Sequence, residues 1–114
     1  MHESKPVDEN LLAATLDLAK LVDYQDGSVV SRAIVDKDVG TVTVFAFDKG
    51  QKLSTHSAPY DALVQILDGH GLVVIEGQKF PLRAGQSVIM PADKPHSLHA
   101  NERFKMLLTM IRAK

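Results

Sequence analysis

Two histidines in this 114-residue chain have the surroundings that chemistry needs. His56 closes a run that opens at Gly50, and His96 closes a second run that opens at Gly85. A neutral imidazole is a ligand for most first-row transition metals, and near neutral pH it also gives or takes a proton. The other three histidines offer less. His2 lies in a polar terminus, His70 follows an Asp68-Gly69 turn signal and reads as exposed, and His99 alternates away from His96. The chain has no cysteine, so disulfides and thiolate sites are excluded. It has no nucleophile elbow and no phosphate-binding glycine loop, and its acidic residues form no acid/base pair. Residue types alone therefore specify no reaction. Against a metal or catalytic role stands a plainer one: two neutral histidines holding a hydrogen-bonding ligand, or each other through water.

The elements that must position these residues are mostly strands. Residues 10–22 carry Leu12, Leu16 and Ala19 at helical spacing, with Leu11, Thr15, Leu18 and Val22 widening the stripe. Asp8 or Asn10 would cap this helix. From there on the pattern is short and β-like: 29–35, 41–47, 62–67, 71–75, 80–82, 87–90, 96–100 and 103–111. Asp-, Gly- and Pro-containing turns separate these runs, with Glu76-Gly77 reading as a hairpin turn. Many short strands at regular spacing predict an all-β sandwich or barrel behind one short N-terminal helix.

With the runs spelled out, the chain resembles the cupin superfamily, in particular its small single-domain, cupin 2 type conserved barrels. The first cupin motif is glycine, five residues, histidine, one residue, histidine, three residues, glutamate, six residues, glycine. Gly50, His56 and Gly69 match it, while Ala58 and Ala62 stand where the second histidine and the glutamate belong. The second motif is glycine, five residues, proline, one residue, glycine, two residues, histidine, three residues, asparagine. Gly85, Pro91 and His96 match it, while Asp93 replaces the internal glycine and Ala100 the asparagine. Asp visits the left-handed region more readily than most residues, so Asp93 is a workable substitute. The resemblance implies a double-stranded β-helix (jelly-roll) barrel over residues 27–114. Residues 1–26 then form an N-terminal arm and helix, and the whole is one domain.

The resemblance also implies a metal pocket, with one divalent transition metal: Fe, Mn, Ni, Zn or Cu. Of the family's ligand set only His56 and His96 remain, and two imidazoles alone bind metal weakly. Side chains two apart on a strand share a face. Counting from position 62, Val64 and Ile66 face the pocket, with Tyr60 if the strand stays regular. His96, Leu98 and Ala100 do the same from the later strand. A third ligand would come from Gln65, His99, Asp61 or Tyr60, in that order. Ala58 and Ala62 remove bulk, which predicts a deeper apolar cavity lined by Val64, Ile66, Met90 and Leu98, with Val44 or Phe45, Met106, Leu108 and Met110 behind them. Each of these is equally a candidate for plain barrel core. Asp61 reads as a residue that only steadies its loop.

The reading of function is a small-molecule-binding cupin centred on His56 and His96, with ligand contacts from Tyr60, Val64, Ile66, Met90 and Leu98. The alternative is a metal-dependent enzyme, dioxygenase- or isomerase-like, with an atypical two-histidine centre. A homodimer is expected, joined through residues 10–22 and 29–35, because a small jelly roll has sheet edges to protect. A net charge of −1, 5% aromatic content and no tryptophan argue against nucleic acid as a partner. No apolar run approaches a membrane span and no signal peptide is visible, so the expected setting is cytoplasmic, with no membrane partner.

Overall fold

The β-branched and aromatic run after Gly40 forms β2 (Gly40–Phe47), and the rest of the predicted strands follow it into one antiparallel ladder. The computed structural model describes residues 7–113, so His2 and most of the polar arm lie outside the described residues. The other strands are β1 (Val29–Lys37), β3 (Lys52–His56), β4 (Tyr60–Ile75), β5 (Gln78–Arg83), β6 (Ser87–Met90), β7 (His96–His99) and β8 (Phe104–Arg112). One sheet has the order β1–β2–β8–β4–β6, and the other β5–β4–β7–β3. Every pairing is antiparallel, and the architecture is the all-β jelly-roll barrel expected from the sequence.

The two sheets share β4. Residues 60–69 pair with β8, and residues 70–75 pair with β5. Asp68-Gly69 is thus not a turn between two strands, as its composition suggests, but a corner inside one strand of 16 residues. An extra residue at Leu67, between the pairs Ile66↔Met106 and Asp68↔Lys105, starts the bend. Gly69 completes it with φ +76 and its Cα hydrogens against the Arg103 carbonyl. At the other marked turn, Glu76 (φ 50) and Gly77 (φ 79) have the two positive φ values of a tight hairpin, as the sequence predicts. Pro81 sits on β5, which pairs only with β4, where its missing N–H costs the ladder little.

Between the sheets, period-two alternation turns Phe45 and Phe47 of β2, Ala62, Val64 and Ile66 of β4, and Phe104, Met106 and Leu108 of β8 into one core. Phe47 stacks on Phe104 with ring centroids 4.5 Å apart, and neither has exposed surface. Fully burying side chains of this kind is worth about 1.5–3 kcal/mol each. Of the two residues proposed for this wall, Phe45 faces in. Val44 faces out, into a second cluster with Val22, Ile34 and Ala46.

That second cluster explains why residues 10–22 are not the continuous helix their spacing predicts. They form two single 3-10 turns, Glu9–Leu11 and Leu18–Lys20. Ala13 lies at φ 52 between them, and Asp17 is extended. Leu11, Leu18, Leu21 and Val22 spread over the outer face of the first sheet, against Val44, Leu67 and Leu107. Burial on a broad sheet overrides a marginal helical stripe. Asp8 does cap the first turn, accepting from the Asn10 N–H. Asp8 is also fixed to the barrel: its N–H donates to the Ile34 carbonyl, and its carboxylate pairs with Arg32 at 2.9 Å. Further along, Tyr24 donates to Asp68 at 2.5 Å and lies under Arg103 and Lys105, while Lys105 Nζ caps the Ala19 carbonyl. These contacts fasten the segment to the barrel.

Gly69 and Gly85 separate two reasons for glycine. Both have positive φ, but a Cβ at Gly69 would lie 2.3 Å from the Arg103 carbonyl oxygen, whereas one at Gly85 would meet open space. Gly85→Ala is expected to cost about 1–2 kcal/mol, the left-handed strain alone. Gly69→Ala is expected to cost at least about 3 kcal/mol, because the backbone corner must also move. Urea unfolding of the two variants measures the difference.

Candidate functional site

Strands β3 and β7 pair antiparallel, and their last register pair is His56↔His96. The preceding pair is Leu53↔Leu98, so three steps on β3 match two on β7. The one-residue bulge at Ser54-Thr55 reverses the alternation on β3. Leu53 faces the core, and the bulge brings His56 back to the same side instead of Thr55. His96 reaches that side by plain alternation from Leu98.

The two Nε2 atoms are 3.2 Å apart, with ring centroids at 4.4 Å and planes at 70°. Each ring is anchored from behind. His56 Nδ1 is 2.7 Å from the Ser54 carbonyl oxygen, and His96 Nδ1 is 3.0 Å from that of Lys94. A carbonyl can only accept, so each Nδ1 carries the proton. In the neutral rings both Nε2 atoms then present lone pairs, and the lone pairs face each other. That contact is repulsive unless a proton or a cation sits between them. His96 is 6% exposed while His56 is open to solvent, so the pair marks a site entered from one side.

The loops around the pair are tied together. The Asp93 N–H donates to the Ala58 carbonyl at 2.8 Å, and the Ala92 N–H donates to Asp61 Oδ1 at 3.0 Å. Asp61 therefore steadies its loop, as the sequence suggests, and Asp93 holds the left-handed conformation (φ 64) of the glycine it replaces. Tyr60 stays on the inner side of β4, and its hydroxyl accepts from Arg112 at 3.1 Å. Val64, Ile66, Met90 and Leu98 are on the inner face too, but with 0–2% exposure they pack as core beneath the histidines. Ala62 is packed with them at 2%.

Two of the suggested third ligands, His99 and Gln65, face away from the pair. His99 alternates to the opposite face of β7, and its Nε2 is 2.9 Å from Ser97 Oγ. Gln65 alternates away from Ala62 and Val64. Among the described residues, no three His, Cys, Asp or Glu side chains converge as a metal cluster. A surface cleft of about 350 Å³ lies on β1 by Asp8, Asn10 and Ile34, away from this chemistry. Sequence reasoning missed the bulge, the two carbonyl anchors and Arg112. For Arg112 a signal existed, since the inward stripe of Met106, Leu108 and Met110 continues to position 112.

Burial pushes the His96 pKa below the ordinary histidine value. The neighbouring His56 adds to this, and the Lys94 carbonyl partly opposes it. The stability His96 contributes is thus complete above pH ~6.5 and is lost as pH falls from there through its folded pKa. Nitrogen-15 NMR of the imidazoles is expected to show Nδ1–H tautomers for both rings in metal-free protein above neutral pH. His96 should titrate below 6.5, and His56→Ala should move it only partway back, because burial remains.

Comparison with known proteins fits this geometry. The family model described as Cupin domain matches residues 43–111. A conserved protein of unknown function from Streptococcus pyogenes is 35% identical, with TM-score 0.87 over 100% of this chain and 97% of its own. A cupin 2 conserved barrel domain protein from Leptotrichia buccalis is 42% identical, with TM-score 0.82 over 84% of this chain and 47% of its own. A curated relative, polyketide synthase CurC from Streptomyces cyaneus, is 38% identical over 48 residues, which are 41% of this chain and 31% of that protein. The chain thus spans about a third of the curated relative it matches. With the family model spanning most of the barrel and both motif histidines paired across β3 and β7, the chain belongs to the cupin family.

Proposed function

We propose that this protein is a small-molecule-binding cupin in which His56 and His96 form the binding centre and together hold one divalent transition metal. The observation that carries the reading is the 3.2 Å approach of two Nε2 atoms whose Nδ1 atoms are both committed to carbonyls. Two nitrogens bound to one zinc at about 2.0–2.1 Å stand about 3.3–3.4 Å apart in a tetrahedral site. The pair is spaced close to that value. Carbonyl-anchored Nδ1–H groups are also the usual outer support of metal-ligating histidines.

The residues fit half of a metal site. Ala58 and Ala62 supply no donors, so the remaining positions fall to water or to oxygen atoms of the ligand. Such a centre is weak and exchangeable, and the metal, when bound, would supply Lewis acidity. His56 and His96 orient it, the packed floor of Val64, Ile66, Met90 and Leu98 excludes water from below, and Tyr60 contributes at the rim. The same open positions favour the second reading, a metal-dependent enzyme, since catalytic centres keep sites free for substrate. Turnover of a ligand by the loaded protein would separate the two.

We also propose a homodimer, with a shifted interface. Leu11, Leu18, Leu21 and Val22 of residues 10–22 turn into the chain's own sheet, while Leu12 stays exposed. Leu63 (37% exposed), Ile89 (63%) and Ile111 (55%) remain uncovered on the outer face of the first sheet, and they support contact there. Sedimentation at micromolar concentration is expected to give a dimer, and Ile89→Lys a monomer.

Calorimetric titration of tag-free protein with Zn, Ni, Mn, Fe(II) and Cu(II) ions tests the centre. One equivalent of at least one of these ions should bind, and His56→Ala or His96→Ala should weaken it at least tenfold. Ala58→His restores a third imidazole and should tighten binding at least tenfold. Absence of binding for all five ions removes the metal from the reading.

A further inference from the structure

We infer that Arg112, steadied by Tyr60, recognises the charged end of the ligand, which makes that ligand a small organic carboxylate; this rests on the reading of His56 and His96 as the binding centre. The placement follows from register. Tyr60↔Arg112 is the pair next along from Ala62↔Met110, two residues on, and so on the same inner face of the first sheet. Residues 57–59 lead from His56 on β3 to Tyr60 on β4, and residues 91–95 lead from Met90 on β6 to His96 on β7. Both connections cross between the sheets at one end of the barrel. Arg112 and the histidine pair therefore flank the same mouth, on facing sheets whose usual separation is about 10 Å. An arginine side chain and an imidazole reaching into that gap leave room for a ligand of only a few heavy atoms.

Arg112 is held but not neutralised. Its backbone N–H bonds to the Val39 carbonyl at 2.9 Å, and Nε donates to the Asp38 carbonyl at 3.1 Å. Nη2 donates to Tyr60 Oη at 3.1 Å, and the guanidinium carbon lies 5.2 Å from the Tyr60 ring centroid. Arg32 and Arg103 pair with Asp8 and Asp48, but among the described residues no carboxylate lies within ion-pair distance of Arg112. Among the described residues all its hydrogen-bond partners are neutral oxygens. A guanidinium has five N–H groups in a planar fork, and among the described residues two are engaged. A planar carboxylate matches what remains in shape and in sign of charge. The carboxylate end then lies on Arg112 and an oxygen at the other end reaches the histidine centre.

The test is an NMR titration with malonate, following the Arg112 Nε–H signal in metal-free and in zinc-loaded protein. A saturable shift in the millimolar range or tighter is expected, and malonamide, the uncharged analogue, should give none. Arg112→Gln should weaken malonate at least tenfold and Arg112→Lys about fivefold. Lys79→Gln, which removes an exposed cation on β5, should change it less than twofold. Unchanged thermal midpoints would show that the variants fold. The inference is overturned if malonate gives no saturable shift in either form, if Arg112→Gln binds malonate as well as the wild type, or if inorganic phosphate binds more tightly than malonate. The histidine signals report separately on the centre. If zinc leaves them unmoved while malonate still titrates Arg112, the metal reading falls and the carboxylate subsite stands.

Discussion

The barrel depends on one strand changing sheets. β4 spends residues 60–69 in one sheet and 70–75 in the other, and its corner at Gly69 is closed by contact with the Arg103 carbonyl. Gly71 continues the close approach, with Ile66 and the Phe104 ring where a side chain would stand. That proximity puts Phe104 onto Phe47 and seals the core at the corner. Because β4 pairs with β8 and β6 on one side of the bend and with β5 and β7 on the other, its geometry sets the register of both walls.

The histidine pair inherits this frame through two small devices. One is the bulge on β3, which spends a residue to turn His56 inward. The other is the tie between the two motif loops through Asp61 and Asp93. Neither touches the two Nε2 atoms, yet together they bring two lone pairs to 3.2 Å. Two facing lone pairs repel each other, so the contact costs energy unless a positive charge lies between the rings. Below it the barrel is packed rather than hollow. The alanines at 58 and 62 remove ligands from the family pattern, but the space at Ala62 is taken up by neighbouring core side chains instead of widening into a pocket.

Much of this was legible one residue at a time. Period two placed Val64, Ile66, Leu98 and His96 inward, and it put His99 and Gln65 on the other side, which undercuts both as third ligands. The left-handed tolerance expected of Asp93 is present. The helix over 10–22 was misread because helical spacing on a short apolar segment looks the same whether it faces a groove or lies flat on a sheet. Asp68-Gly69 was misread because the residues that make a turn are also those that make a corner.

The chain's own sequence determined the strand alternation, the glycine positions and the presence of two motif histidines, because these are local consequences of side-chain type and backbone freedom. Tertiary structure alone decided that the two histidines meet Nε2 to Nε2, that Arg112 is held between Tyr60 and the Asp38 carbonyl, and that the N-terminal segment covers the outer sheet. These depend on register between strands far apart in sequence. A single inserted residue, such as the one in the β3 bulge, reverses which side chain faces the site.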